Sequence, residues 1–176
     1  MIDLSQDYFS LFGLPPHYRV DSERLDAAYR ALQSRVHPDR FVNAGETERR
    51  LSMQSSAWVN EAYRALSDPV DRAQYLLSLH GIAPPAETDN ALALDFLEAQ
   101  LERREAVAEA RADGDLPRLE ALLAAVRDDI AQRDRVLGAI LDEAKRWEDA
   151  RPLVRELRFL HRLAADVEQA IAERDD

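Results

Sequence analysis

Residues 21–41 read DSERLDAAYRALQSRVHPDRF, and this stretch decides the fold. Leu25, Ala28, Tyr29, Leu32 and Val36 recur at spacings of three and four, which puts them on one face of a helix. Asp21 or Ser22 can cap its start, since a short side-chain oxygen there accepts an N–H of the first turn. Pro38 ends it, because the residue before a proline is pushed out of the helical region. The triplet His37-Pro38-Asp39 therefore holds one imidazole and one carboxylate in a fixed relation at a helix end, ahead of a polar loop near Asn43 to Glu46.

The same periodicity continues on both sides. A short helix over Tyr8, Phe9, Leu11 and Phe12 precedes the capped one and stops at Gly13 and the Pro15-Pro16 pair. After the loop, Leu51, Ser55, Trp58, Val59, Ala62 and Leu66 mark one face of a long helix that ends before Pro69. Ala73, Leu76 and Leu77 belong to a last short one. The segment GIAPPAETDN at 81–90 combines glycine, paired prolines and small polar residues, the signature of a connector. Beyond it, Asn90 or Asp89 starts a helix to about Arg111, closed by Gly114. Asp115 caps the next, with Pro117 in its first turn and the stripe Leu119, Leu122, Val126, Ile130, Leu137, Ile140, Leu141. A third carries Leu153, Leu157, Leu160, Ala164, Val167 and Ile171, a spacing suited to antiparallel packing. The break before it falls near Lys145 to Ala150, where no turn residue marks it. With few glycines and β-branched residues and no alternating pattern, the fold class is all-α, the last three helices forming a bundle.

Composition narrows the chemistry. The 176 residues, 46% of them apolar, suffice for a core in each of one or two small domains. There is no cysteine, which removes disulfides, thiolate metal sites and thiol nucleophiles. The net charge of −11 disfavours nucleic acid and anionic lipid as main partners. No apolar run reaches the roughly 20 residues a membrane span needs. The beginning MIDLSQDYF has no signal-peptide character, so a cytoplasmic protein is expected. The charge is uneven: nine basic against eleven acidic residues through residue 80, then 14 against 23.

As a bare string the triplet is a weak signal and reads more readily as a helix-terminating turn. Its neighbours change that. DYFSLFGLP at 7–15, YRALQSRVHPDRF at 29–41 and NEAYRALSDPVDRAQY at 60–75 resemble, in order and spacing, the three signature blocks of J-domains. The resemblance implies a helical hairpin with short flanking helices that activates the ATPase of a DnaK-type chaperone. The helix before the triplet would present a basic face, and His37, Pro38 and Asp39 would transmit the signal. Arg30, seven residues before His37, faces the same way; Arg35 and Arg40 flank the triplet. Asp26 stands on that face where the family often has a basic residue. A catalytic metal reading of His37 and Asp39 lacks further ligands, since His17, His80 and His161 offer no convergent partner at helical spacing. No phosphate loop and no paired nucleophile and base are present. No enzyme, resident metal or cofactor is expected.

DPVDRAQYLLSLHGI at 68–82 and LRFLHRL at 157–163 extend the likeness to the whole chain, which resembles the HscB co-chaperones of iron–sulfur cluster assembly. That resemblance implies residues 1–80 as J-domain, 81–89 as linker and 90–176 as a three-helix domain that binds the cluster scaffold IscU and delivers it to the chaperone HscA. It places Leu97, Glu98, Leu101, Glu102, Glu105, Arg158 and Phe159 on the scaffold-binding face, Glu98 standing where relatives often carry an apolar residue.

Helical geometry gives a separate reason to look there. At about 100° per residue, Leu92, Phe96 and Val107 form one stripe, and Leu94, Leu97 and Leu101 form another on the far side. One helix of a bundle does not easily bury both. Phe159 lies about 120° from the Leu153, Leu157, Leu160, Ala164 seam, and the resemblance implies an exposed aromatic at this position, with Arg158 beside it. The alternative for the outer stripe and Phe159 is packing against the J-domain, and Leu94 is left to that interface. Two other functions stay open: a structural adaptor with a degenerate J-domain, and an active J-domain serving another client.

Overall fold

The computed structural model describes residues 2–42, 44–83 and 92–175, and among these there is no strand. The chain divides into two compact units, Met1–Gly81 and Ile82–Asp176. The first contains α1 (Tyr8–Leu11), α2 (Ser22–Val36), a 3-10 turn (Pro38–Phe41), α3 (Glu46–Ser67) and α4 (Pro69–Leu79). The second contains α5 (Leu94–Asp113), α6 (Leu116–Gly138), a π-turn (Ala139–Ala144) and α7 (Trp147–Asp175). Asn43 in the expected polar loop, and the connector from residue 84 on, lie outside the described residues.

Aspartates start four of these helices. Asp7, Asp21, Asp68 and Asp115 each accept a backbone N–H from the turn they open, at 3.0 Å from Ser10, 3.1 Å from Arg24, 2.8 Å from Val70 and 3.0 Å from Arg118. Each satisfies a donor the helix itself cannot pair.

In the first unit α2 and α3 form an antiparallel hairpin, closed by α1 and α4. Phe9, Leu25, Val59, Ala62, Leu66, Leu76 and Leu77 are buried, and full burial of such a side chain contributes about 1.5–3 kcal/mol. The expected faces of α2 and α3 are those that turn inward, with Leu51 and Trp58 only half-buried and Ser52 and Ser56 buried beside them. Leu14 and Tyr18, from the loop after α1, also enter the core. Tyr8 ties the N-terminus down. Its N–H donates to the Tyr75 hydroxyl at 2.9 Å and its own hydroxyl to Glu61 at 3.0 Å, while its ring stacks on Tyr75 at 4.2 Å. Burial first, and then that carboxylate, push the Tyr8 hydroxyl up to about 12.

In the second unit α5, α6 and α7 pack pairwise into a bundle. Leu119, Leu123 and Val126 of α6 meet Leu160, Leu163, Ala164, Val167 and Ala170 of α7. From α5 only Phe96, Gln100 and Ala110 are buried. Gly114 closes α5 at φ 70°, a left-handed conformation that costs glycine little, and lets Asp115 donate back to Ala110 at 2.9 Å.

Two expectations are corrected here. The caps proposed at Asp89 and Asn90 lie outside the described residues, and α5 starts later, at Leu94, after an extended Ala93 with no side-chain cap. The extended entry lets Leu92 pack against the core ahead of the helix. On α7 the inward seam takes in Val154, with Leu153 only half-buried. The α6–α7 break falls at Lys145, which adopts φ 53° in place of a glycine.

Since α5 supplies so few apolar anchors, charge helps to hold it. Arg103 pairs with Asp129 at 2.6 Å, and Arg133 pairs with Glu156 at 2.8 Å and lies 5.2 Å from the Phe96 ring centroid. Arg133 and Glu156 are 20% and 17% exposed, so removing Arg133 strands Glu156. Arg133→Ala should cost about 1–3 kcal/mol and lower the melting midpoint by several degrees, read by thermal circular dichroism. An unchanged midpoint would make this network a solvated ornament.

Candidate functional site

The triplet stands where α2 runs out. His37 still donates its backbone N–H to Gln33 at 2.9 Å, as a helical residue does, but its ψ of 129° turns the chain away. Pro38 opens the 3-10 turn. The Asp39 N–H then donates to His37 Nδ1 at 3.3 Å, and the Asp39 carboxylate lies 3.6 Å from the same nitrogen. An accepting Nδ1 puts the proton of a neutral imidazole on Nε2. The two side chains are 55% and 85% exposed. The turn thus presents a donor and a carboxylate to solvent in one rigid arrangement.

Arg30, Arg35 and Arg40 are all exposed. Arg30 lines a shallow cleft with His37, Tyr29, Gln33, Ser56 and Asn60. Arg35 borders another, with Val36, Phe41, Leu51 and Ser52. Arg40 folds back to donate to the Ser34 carbonyl at 2.9 Å. Asp26 is half-buried and accepts the Tyr63 hydroxyl at 2.8 Å. That hydrogen bond raises the Tyr63 hydroxyl above its ordinary range, and the carboxylate is engaged with α3 as well as adding negative charge.

Asp26 belongs to a polar seam that sequence reasoning missed. Tyr29 donates to Asn60 at 2.9 Å, Gln33 also reaches Asn60, Ser56 donates to Gln33 at 3.4 Å, and Ser52 donates to the Val36 carbonyl at 2.7 Å. Tyr29 and Tyr63 stack at 4.1 Å. The available signal was the polar series Ser52, Ser56, Asn60, Tyr63 at helical spacing along a face otherwise read as apolar.

On the second unit α5 does carry two stripes. Phe96 is buried and Leu92 and Val107 pack on the core, whereas Leu94, Leu97 and Leu101 are 68%, 40% and 60% exposed. Glu98, Glu102 and Glu105 are exposed too. Arg158 is half-buried. Phe159 departs from the expectation of an exposed aromatic: it is half-buried, meets Phe96 edge-on at 5.9 Å and lies under the Arg104 guanidinium at 4.7 Å. An offset of 120° from the α7 seam leaves it at the margin facing α5, where Phe96 and Arg104 can reach it.

Among the described residues no three His, Cys, Asp or Glu side chains come together to hold a metal ion. No described helix is long and apolar enough to cross a membrane.

Known proteins resemble this chain over nearly its whole length. Residues 7–75 match the DnaJ domain family, and residues 93–168 match the family described as the HSCB C-terminal oligomerisation domain. The chain is 46% identical over 173 residues to a co-chaperone protein HscB homolog of Cupriavidus taiwanensis, covering 98% of each. It is 44% identical to that of Ralstonia nicotianae over 176 residues, all of both chains. Among solved structures, chaperone HscB from Vibrio cholerae superposes with a TM-score of 0.86 at 35% identity, over 96% of this chain and 99% of that one. Human co-chaperone HscB gives 0.87 at 30% identity, over 95% and 83%. With the exposed triplet on its hairpin and a helical bundle following, the chain belongs to the HscB family of J-domain co-chaperones, whose J-domain implies a DnaK-type chaperone as partner.

Proposed function

We propose that this chain is a co-chaperone of iron–sulfur protein maturation, which stimulates the ATPase of an HscA-type chaperone and delivers an IscU-type scaffold to it. The observation that carries this reading is the exposed, hydrogen-bonded turn at His37-Pro38-Asp39, built on a helix whose Arg30 and Arg35 face solvent. In the family such a helix meets an acidic surface of the chaperone, and the triplet transmits the signal for hydrolysis. Residues 1–80 serve as that activator, 81–89 as the linker and 90–176 as the holder of the scaffold. Leu97 and Leu101 form the apolar centre of the scaffold face, with Phe159 at its edge. Glu98, Glu102, Glu105 and Arg158 form its polar rim. The chain catalyses nothing itself and works in the cytoplasm.

A binding experiment with purified proteins tests the reading. The full chain should bind an HscA-type chaperone in the presence of ATP and an IscU-type scaffold independently, and bring the two into one complex. Binding the chaperone but not the scaffold would assign a different client. Binding neither would favour a structural adaptor with an inactive J-domain.

The chaperone contact should be electrostatic. Arg30→Glu and Arg35→Glu should each weaken it about tenfold at low ionic strength, the gap to wild type closing as the Debye length falls below its physiological 8 Å. Titration of binding against salt checks this. An affinity indifferent to salt and to both reversals would remove these arginines from the interface.

A further inference from the structure

The end of α2 leaves three carbonyls without their helical donors, and each has an identifiable cause. The Ser34 carbonyl would be paired by the N–H of residue 38, which proline lacks. The Arg35 carbonyl would be paired by Asp39, whose N–H goes to His37 Nδ1. The Val36 carbonyl would be paired by Arg40, whose N–H goes to the His37 carbonyl at 3.1 Å. The turn that exposes the triplet thus diverts the donors that would have extended the helix.

Side chains replace two of them, those to Ser34 and Val36. Arg40 donates to Ser34 from within the turn and is exposed. The other donor comes from a different helix: the Ser52 hydroxyl of α3 reaches the Val36 carbonyl at 2.7 Å, and Ser52 is only 4% exposed. A buried carbonyl deprived of its donor pays its full desolvation cost. The geometry here offers relief only if the Val36 peptide, and with it the adjoining His37, stays where Ser52 can reach it. The Ser52 hydroxyl bonds to Val36 and not to His37 or Asp39, and at 4% exposed Ser52 offers a chaperone almost no surface of its own.

From this we infer that Ser52 is a positioning residue for the His37-Pro38-Asp39 turn: it fixes the turn against α3 and thereby sets how strongly the docked J-domain activates its partner, not how tightly it docks. The inference rests on the proposed co-chaperone function. Docking depends on the exposed charges of Arg30 and Arg35, to which the Ser52 hydroxyl makes no hydrogen bond, whereas the signal depends on the exact placement of the triplet.

The test is Ser52→Ala in the full chain, with ATP hydrolysis by a purified HscA-type chaperone followed over a range of co-chaperone concentrations. Maximal stimulation should fall about five- to tenfold, the size expected when one buried hydrogen bond no longer favours the active placement. The concentration giving half the maximal effect should stay within about twofold. The His37 imidazole nitrogen resonances should shift toward those of a free histidine, reporting a loosened turn. If the alanine variant does not fold, Ser52→Cys keeps the size and weakens only the donor, and should lower maximal stimulation about two- to threefold. A folded variant with wild-type maximal stimulation overturns the inference. So does a loss that appears only as weaker half-saturation with unmoved His37 resonances. If wild type itself fails to stimulate, it is the co-chaperone reading that falls.

Discussion

Replacing His37 with glutamine should reduce stimulation of the partner ATPase to the unstimulated rate while leaving the fold and scaffold binding intact. The imidazole buries little, being 55% exposed, and the backbone hydrogen bond from His37 to Gln33 does not depend on the side chain. Few contacts are therefore lost, and surface changes of this kind usually stay within about 0.5 kcal/mol. Glutamine is close in size but lacks the ring whose Nδ1 receives the Asp39 N–H. The rigid pairing of imidazole and carboxylate is lost even though the turn persists. Circular dichroism and single-turnover hydrolysis together check this, and full stimulation by the folded variant would reject the role given to His37.

The second large effect belongs to the other unit. Leu97→Ala combined with Leu101→Ala should weaken scaffold binding by about a hundredfold or more, since truncating an apolar anchor at an interface centre typically costs about 1–3 kcal/mol each. The melting midpoint should barely move, because both side chains are exposed in the free chain. Phe159 does not belong in the same test. Its ring packs edge-on against Phe96 and under Arg104, so Phe159→Ala should lower stability by about 1–2 kcal/mol on its own account. A leucine pair variant that melts well below wild type would make those side chains core. One that is stable and binds the scaffold normally would place the docking surface elsewhere.

That difference between the leucines and Phe159 shows what a sequence carries and what it does not. Leu97 and Leu101 sit about 100° and 140° around the helix from Phe96 and are exposed, so a rotation of that size does not by itself decide burial. Phe159 sits 120° from its seam, at a margin where burial depends on what the neighbouring helix brings, here Phe96 and Arg104. Helix starts were legible at Asp21 and Asp115 because the capping oxygen is local chemistry. The start of α5 was not, because Ala93 stands at the capping position and has no side-chain oxygen to offer. The triplet was legible as a turn from Pro38 alone. Its support was not, because the Ser52 to Val36 bond joins residues 16 apart, and hydrophobic periodicity is silent about polar pairs across a hairpin.

The most direct test of the central claim is single-turnover ATP hydrolysis by a purified HscA-type chaperone, measured alone, with this chain, with an IscU-type scaffold and with both. The account predicts a faster rate with the chain alone, a further increase when the scaffold is present, and loss of both effects with His37→Gln. A rate that the wild-type chain leaves unchanged, with the chaperone active and the scaffold folded, would contradict it.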